Sequence, residues 1–404
     1  MYRLPLTRRR WMAATGAAAA AAAIPATSNV LASPAPDLPP ALKPEAFRER
    51  QAKLRAAAKA GGFDALFVTP STNLAYAANL SIGRSERLTA LLLFADGPTV
   101  LITPFFEADN HRRDALVDDV LTWKEEEDPI PLAAKALGKA RTLGIEGTTA
   151  YGTASNLLSA AALQARDATD LFDALRTVKT DEEQAFIRDA ARRTNLAITA
   201  THGKLSRGAT ESEVAALLEA EFRKLGVRGG GLVQFGPSAA LPHGGPGDRK
   251  LVAGDVVLID AGCKVRGYTS DVTRTVSFGP PSDEVRKVYA AVDRAQIAGI
   301  EALKAGATGE DVDRAARRVI EEAGYGPFFT HRLGHGLGMD GHEHPYLVRG
   351  NRTPLAAGNT VTVEPGIYLP DKFGVRIEDD YGVRPSALPA SLSTRPGELT
   401  IISP

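Results

Sequence analysis

The feature that most constrains the fold of this chain is a duplication within its second half. A Gly-Ala-Thr motif followed by an acidic helical segment begins at Gly208 and recurs at Gly306, an offset of 98 residues. Each helical segment leads through a loop to an apolar strand, over residues 251–262 in the first copy and 355–366 in the second. Self-similarity of this length predicts two related αβ halves that face each other across a pseudo-two-fold axis.

Both repeats carry carboxylates at matching positions. The alignment superposes Asp260 on Glu364, each at the end of an apolar strand. A second carboxylate follows on a returning strand, Asp271 in the first copy and Glu378 in the second. Any one of these acids alone is typical of a surface strand end, but the symmetry of the halves would bring all four together. Because buried carboxylates repel one another and lose hydration, such a cluster predicts bound divalent cations.

Each carboxylate pair would span a hairpin. The sequence midpoints predict turn centres between Val265 and Arg266 in the first copy and at Asp371 in the second. Glycine and proline flank these centres, as is typical of tight turns. Cross-strand partners on one face of a hairpin lie within about 5 Å of each other, close enough to share a metal ion.

A glycine-rich stretch over residues 330–345 concentrates the histidines of the chain. It contains four of the seven histidines in the sequence, and three glycines surround His335. Glycine allows close backbone approach, and neutral imidazole is a common metal ligand. His335 has no counterpart in the first repeat, so we predict it as the asymmetric fifth ligand. The predicted metal ligands are Asp260, Asp271, His335, Glu364 and Glu378.

This donor set predicts a centre of two divalent ions roughly 3.5–4 Å apart, bridged by carboxylates and a water. Oxygen ligands with one imidazole suit Mn²⁺, Co²⁺ or Fe²⁺ as well as Zn²⁺.

Composition excludes other classes of function. The net charge is zero, which leaves no basic field for nucleic acid, and Cys263 is the only cysteine, which rules out an intramolecular disulfide or a cysteine zinc cluster.

The N-terminal 32 residues predict an export signal. Arg8 and Arg9 lie in a twin-arginine cluster, and an alanine-rich apolar run follows that is too short for a comfortable membrane span. The pattern resembles bacterial twin-arginine signals, with cleavage after Ala32 and a mature protein that is periplasmic or secreted and has no stable membrane anchor. An uncleaved anchor and an alanine-rich tail are the alternatives. A proline-rich linker over residues 33–44 would follow.

Two folded domains are predicted after the linker. Residues 45–177 alternate helix and strand, with a hairpin signal at Asp96-Gly97, and predict a compact α/β domain. Residues 178–404 form the duplicated domain. It opens at Thr180, where a capping box begins a long amphipathic helix.

Several segments of the second domain resemble the metal-dependent proline peptidases, which are prolidase (Xaa-Pro dipeptidase) and aminopeptidase P of metallopeptidase family M24. The closest match is the glycine-rich histidine stretch over residues 331–343, where Gly341 replaces a usual branched aliphatic residue. The resemblance is specific from about Val178 to the C-terminus and weak over the N-terminal domain. The other matching segments are Asp260-Ala-Gly, Ser270-Asp-Val-Thr-Arg, Glu364-Pro-Gly and Arg376-Ile-Glu.

The resemblance implies an α/β (α+β) chain in which a pita-bread domain with an internal duplication follows a smaller creatinase-like domain. It also implies a homodimer and a di-metal site, usually manganese or cobalt. By position, Asp260 and Glu378 would bridge the metals and Asp271 would bind one of them. His335 and Glu364 would bind the other.

The implied reaction is hydrolysis of the bond before proline in Xaa-Pro dipeptides or peptides by a metal-bridging hydroxide. His243 or His342 would stabilise the oxyanion, and Glu364 would carry the proton to the leaving nitrogen. His331 and Arg376 would line the pocket for the proline side of the substrate.

Three alternatives remain at this point. Another aminopeptidase, such as a methionine aminopeptidase, shares the fold and ligands, but the N-terminal domain, the export signal and Arg376 argue against it. A non-peptidase enzyme such as a creatinase or a dimethylsulfoniopropionate lyase uses the same fold, although creatinase-like members lack the metal set. A metal-free peptide-binding module would have lost ligands that are intact in this sequence.

Overall fold

In the computed structural model, residues 37–385 and 388–404 are described. The predicted signal over residues 1–32 and the first part of the linker lie outside them. The structure confirms the predicted mixed α/β class, with a smaller N-terminal domain before a duplicated C-terminal domain.

The α-helices of the described residues, in chain order, are α1 (Pro44–Ala60), α2 (Thr72–Ala78), α3 (Ala108–Asp114), α4 (Pro129–Leu137), α5 (Tyr151–Ala161), α6 (Thr169–Thr177), α7 (Asp181–His202), α8 (Glu211–Lys224), α9 (Asp283–Ala302) and α10 (Gly309–Glu322). The strands are β1 (Ala65–Val68), β2 (Ala90–Phe94), β3 (Thr99–Pro104), β4 (Asp119–Trp123), β5 (Thr142–Ile145), β6 (Gln164–Asp167), β7 (Gly229–Phe235), β8 (Val256–Val265), β9 (Tyr268–Thr269), β10 (Val272–Phe278), β11 (Gly334–Gly336), β12 (Glu343–Leu347), β13 (Thr360–Val363), β14 (Gly366–Leu369), β15 (Phe373–Arg376), β16 (Asp379–Gly382), β17 (Ala390–Ser391) and β18 (Ile401–Ile402). Within these residues, no helix is long and apolar enough to cross a membrane.

The N-terminal domain is one twisted sheet with helices on both faces. Its strand order is β4-β3-β2-β1-β5-β6, with antiparallel pairing from β1 to β3 and parallel pairing elsewhere. Successive residues of β1 alternate between two hydrophobic clusters, Leu66 and Val68 in one and Ala65 and Phe67 in the other. This alternation follows the period-2 geometry of a strand that is buried on both faces.

The C-terminal domain consists of two αβ halves that repeat each other. In the first half, α7 and α8 pack on β7, β8 and β10, and in the second, α9 and α10 pack against the strands from β11 to β16. Isolated bridges join Thr210 to Lys250 and Thr308 to Pro354, at the offsets of the sequence repeat. Both α8 and α10 begin with a capping box, as does α7 at Thr180.

The first predicted hairpin differs from the structure by one residue. Arg266 and Gly267 have φ angles of 52° and 85°, so the two-residue turn is centred between them rather than between Val265 and Arg266. As a result, Asp260 pairs with Thr273, and Asp271 lies diagonally across from Asp260. Asp271 is two residues from Thr273, the direct partner of Asp260, and a separation of two residues keeps both carboxylates on one face of the sheet.

The second hairpin has the predicted centre. β14 and β15 pair from Gly366 with Arg376 to Leu369 with Phe373, and Asp371 has a φ angle of 60° at the turn. Glu364 lies two residues before β14 and Glu378 two residues after β15, so the two carboxylates lie on either side of the base of this hairpin. The apolar run predicted as a single strand over residues 355–366 is interrupted at Pro365, which lacks the N–H needed to continue a ladder.

Candidate active site

A cavity of about 480 Å³ lies where the two halves of the C-terminal domain meet. Carboxylates, imidazoles and two guanidinium groups line it, and both halves contribute. The lining residues are His243, Asp260, Asp271, His331, Arg332, His335, His342, Glu364, Arg376 and Glu378. The structure thus brings together every site residue that the sequence predicts, with Arg332 in addition.

The predicted ligands form overlapping donor groups. Donor atoms of Asp260, Asp271 and Glu378 lie within 4.8 Å of one another, as do those of His335, Glu364 and Glu378. Glu378 belongs to both groups. The arrangement fits two adjacent cations that share a carboxylate between them.

The carboxylates are too crowded to be charged together without cations. Burial raises the pKa values of Asp271 and Glu378 well above their ordinary range, and the neighbouring carboxylates raise them further. Burial raises the pKa of Glu364 to about 7, opposed by the nearby Arg376. Divalent cations would supply the missing positive charge, so the chemistry of this donor set fits a metal centre.

We predict a pH signature of this crowding at Glu364 in the metal-free protein. Its folded pKa is raised from 4.5 to about 7, so the unfolded chain loses this proton first and stability falls as pH rises through that window. Glu364→Gln has no proton to lose. Its melting temperature should therefore rise relative to wild type between about pH 4.5 and 7, as measured by calorimetry in chelator. A difference in melting temperature between Glu364→Gln and wild type that does not change with pH would refute the burial argument.

Two threonine hydroxyl groups orient two of the carboxylates. The Thr273 hydroxyl donates to Glu378 at 2.5 Å, and the Thr362 hydroxyl donates to Glu364 at 3.1 Å. Such bonds fix which oxygen faces the cavity, as outer partners of metal ligands commonly do.

His335 presents one ring nitrogen to the carboxylates. Its Nδ1 lies 3.0 Å from the carbonyl oxygen of Gly336, which can only accept, so Nδ1 carries the proton and Nε2 is left as a lone-pair donor. Nε2 lies 3.3 Å from Glu364 and 3.7 Å from Asp271. Burial lowers the pKa of His335 to about 3, which keeps the imidazole in the neutral form that binds metals.

The glycines around His335 have a steric cause. A Cβ on Gly334 would collide with the backbone of Thr362, and one on Gly336 would collide with the backbone of His344. Strands β12 and β13 therefore approach β11 more closely than any side chain would allow, and this fixes the position of His335 between them.

His342 and His243 line the cavity, and in the described part of the chain their side chains form no hydrogen bonds with the protein. The ring of His342 lies 4.0 Å, centroid to centroid, from that of His335, and burial with the nearby Arg332 charge lowers its pKa. Both histidines are exposed toward the cavity. Their ring nitrogens are free to contact a bound molecule.

His331 and Arg376 are linked through Tyr368. His331 donates from Nδ1 to the carbonyl of Arg332, and its Nε2 accepts from the Tyr368 hydroxyl at 2.9 Å. Arg376 donates to Tyr368, to Thr273 and, at 2.6 Å, to Asp260. Both ring nitrogens of His331 are therefore in use, and it can offer a bound molecule mainly its ring face.

A buried charge network connects the N-terminal domain to the loop that carries His342. Arg176, at the end of α6, donates to Asp340 at 2.5 Å and to Glu343 at 2.7 Å, and the buried Lys179 pairs with Glu343. Thr72, in α2, donates to Asp340 at 2.5 Å. The sequence does not indicate this network, because its members are far apart in the chain and their pairing depends on how the domains pack.

We expect Arg176→Ala to destabilise the protein by about 1–3 kcal/mol, because the buried Glu343 is left with Lys179 as its one cationic partner among the described residues and the partly exposed Asp340 loses its ion pair. The activity of this site should fall even at temperatures where the variant remains folded, because the loop that carries His342 loses its anchor. Denaturant unfolding and activity assays on the same preparations measure both effects. Arg192→Ala, in a more exposed pair with Asp189, should change stability by less than about 1 kcal/mol; an equal effect of both variants would contradict the anchoring role.

The fold and the cavity together define a class of protein. A duplicated αβ domain whose halves enclose a cluster of carboxylates and a histidine, placed after a smaller α/β domain, is a pita-bread metallohydrolase. The chain belongs to metallopeptidase family M24: residues 185–385 match the model of that family, and residues 50–178 match the creatinase/prolidase N-terminal domain. It is a peptidase of this family, whose members typically bind divalent metals.

Individual relatives agree with this assignment. An uncharacterized peptidase from Staphylococcus haemolyticus is 37% identical over 320 residues, which cover 78% of this chain and 91% of that protein. The structure is similar to that of dipeptidase PepE from Mycobacterium ulcerans, with a TM-score of 0.84, 35% identity and coverage of 90% and 100% of the two chains. An Xaa-Pro dipeptidase from Bacillus anthracis gives a TM-score of 0.82, with 33% identity over 88% of this chain and 99% of that one. An X-Pro aminopeptidase from Thermotoga maritima gives 0.77, with 32% identity over 86% of this chain and all of that one.

Proposed function

We propose that this peptidase hydrolyses the peptide bond before proline at the N-terminus of Xaa-Pro dipeptides or peptides, with two divalent metal ions, most simply Mn²⁺. The observation that carries the proposal is the pair of donor groups that share Glu378 inside the cavity. The similarity to solved Xaa-Pro peptidases supports the choice of substrate. A metal-free peptide-binding role is disfavoured, because without cations the buried carboxylates of the cavity would repel one another.

The proposed ligands are Asp260, Asp271, His335, Glu364 and Glu378. Bound divalent cations would activate water as a nucleophile near neutral pH and polarise the scissile carbonyl. Residues of the chain are proposed to transfer the proton and to donate hydrogen bonds to the reacting carbonyl. Glu364 accepts the proton of the attacking water and delivers it to the prolyl nitrogen. His342 and His243 donate hydrogen bonds to the carbonyl oxygen as negative charge develops on it.

The proline side of the substrate is proposed to lie against His331. A prolyl nitrogen has no N–H in an Xaa-Pro bond, so recognition has to come from the shape of the ring. The neutral ring of His331, held between the Arg332 carbonyl and Tyr368, provides a fixed wall for it. Burial lowers the pKa of His331 to about 4, so this wall carries no charge at neutral pH.

A substrate panel tests the proposed function. Protein stripped with chelator and reloaded with Mn²⁺ should hydrolyse Ala-Pro and leave Ala-Ala nearly untouched, because only the former presents a prolyl ring. Replacing Mn²⁺ with Co²⁺, Zn²⁺ or Fe²⁺ identifies the preferred metal. Equal hydrolysis of Ala-Ala and Ala-Pro would contradict the proline specificity, and full activity in chelator would contradict the metal requirement.

We also propose export through the twin-arginine pathway to the periplasm or medium, and a homodimer in solution. The export proposal rests on the sequence of residues 1–32, which lie outside the described residues. Arg8→Lys combined with Arg9→Lys should retain the precursor in the cytoplasm, as followed by fractionation and blotting. A wild-type mature N-terminus at Ser33 would support cleavage after Ala32, whereas unchanged export of the double variant would contradict the pathway. Light scattering at several concentrations tests the dimer.

A further inference from the structure

One cation in the cavity is not used by the proposed chemistry. The guanidinium of Arg332 lines the cavity and lies 4.5 Å from the ring centroid of Tyr346. Within residues 37–385 and 388–404, its side chain forms no hydrogen bond or ion pair with the protein. It is half-buried, so it is neither a freely solvated surface charge nor a neutralised core charge.

The other guanidinium in the cavity, that of Arg376, is buried and hydrogen-bonded to the protein. Arg376 is 3% exposed and donates to Asp260, Tyr368, Thr273 and the carbonyl of Pro242. Four of its five N–H donors are therefore committed to the protein. Arg332 is the cation that retains its donors for a bound molecule, and its stacking on Tyr346 holds the planar fork in place.

The charge pattern of the cavity indicates what this fork binds. A peptide carries an amine at one end, which suits the acidic part of the cavity, and a carboxylate at the other, which needs a cation. In an Xaa-Pro dipeptide this carboxylate is attached directly to the prolyl ring. Arg332 follows His331 in the chain, and His331 is the proposed wall for that ring. A guanidinium fork matches a carboxylate bidentately, whereas a longer peptide presents an uncharged amide at the same point.

We propose that Arg332 binds the free C-terminal carboxylate of an Xaa-Pro dipeptide and makes the protein a dipeptidase in preference to an aminopeptidase for longer peptides. This inference rests on the proposed function and narrows its substrate class. Arg332 is a specificity-determining residue in this account and takes no part in the proton transfers.

The test compares Ala-Pro with Ala-Pro-amide, which differ only in the terminal charge. Wild type should prefer Ala-Pro by about 10–100-fold in kcat/KM, the usual scale for one charge-assisted interaction. Arg332→Ala should lose that factor on Ala-Pro, mostly through KM, and change little on the amide. Arg332→Lys should have a kcat/KM on Ala-Pro between those of wild type and Arg332→Ala, because lysine keeps the charge and lacks the planar fork. Arg352→Ala, whose side chain is 85% exposed, is the matched control and should behave as wild type.

A binding measurement gives an independent readout. Calorimetry should show L-proline binding more tightly than L-prolinamide to wild type and equally to Arg332→Ala, with melting temperatures confirming that the variants are folded. Equal losses on Ala-Pro and its amide, or a wild-type preference for Ala-Pro-Ala over Ala-Pro, would overturn the inference and leave the proposed function standing. A loss confined to Glu-Pro substrates would assign Arg332 to an acidic first residue instead. If wild type cleaves no Xaa-Pro substrate, the proposed function and this inference both fail.

Discussion

Asp271→Ala should lose bound metal and activity together, with kcat/KM on Ala-Pro falling by at least about 10³-fold. Asp271 belongs to the donor group that it forms with Asp260 and Glu378, and removing one of three carboxylates leaves that cation under-coordinated. A catalytic metal contributes several kcal/mol to transition-state stabilisation, and each 1.36 kcal/mol corresponds to a factor of ten. Elemental analysis and steady-state kinetics on one preparation measure both losses.

Stability provides the control for this variant. The isosteric Asp271→Asn removes a carboxyl group that must either take up a proton or stay charged in a crowded buried cluster, so in chelator near neutral pH it should melt at a higher temperature than wild type. The exposed Asp119→Ala, in the N-terminal domain, should retain metal and activity. Retention of two metals with normal turnover by Asp271→Ala would remove Asp271 from the proposed ligand set.

His342→Ala should lower kcat by about 10²–10³-fold while both metals stay bound, because one hydrogen bond to the developing oxyanion is lost. Its ring lines the cavity beside His335 and has no protein hydrogen bond among the described residues that would give it a structural task. We expect His243→Ala to have a similar effect. The measurements are kcat, metal content and melting temperature for each variant.

His344→Ala is the matched control for His342. His344 lies two residues further along the chain in β12, its ring stacks on Tyr346, and it does not line the cavity. Its substitution should leave kcat within about two-fold of wild type. Metal loss in His342→Ala would make His342 a ligand, since it also forms a possible donor group with Asp271 and His335. A lowered melting temperature with normal kcat would make its role structural.

Much of the fold could be predicted from the sequence because its signals are local. Thr180 is followed three residues later by Glu183, and the structure has both hydrogen bonds of the capping box there. The hairpin signal at Asp96-Gly97 joins β2 to β3 as predicted. The duplication predicted that the two halves of the second domain have related αβ folds, because repeats with the same pattern fold in the same way.

Features that depend on tertiary packing could not be predicted in this way. The centre of the first hairpin turn lies one residue beyond the sequence midpoint of Asp260 and Asp271, because the two residues with positive φ, Arg266 and Gly267, form the turn. Arg332, whose guanidinium has no hydrogen bond or ion pair among the described residues, and Arg376, whose guanidinium donates several, both lie near motif residues, and only their surrounding contacts distinguish them. The anchor from Arg176 to Glu343 joins residues 167 positions apart and leaves no local pattern.

The most direct test of the two-metal account is a titration of chelator-stripped protein with Mn²⁺, in which bound metal and Ala-Pro hydrolysis are measured on the same samples. We expect binding to saturate at two ions per chain, and hydrolysis to approach its maximum only as the second ion binds. Saturation at one ion with full activity, or full activity before any ion is bound, would contradict the account.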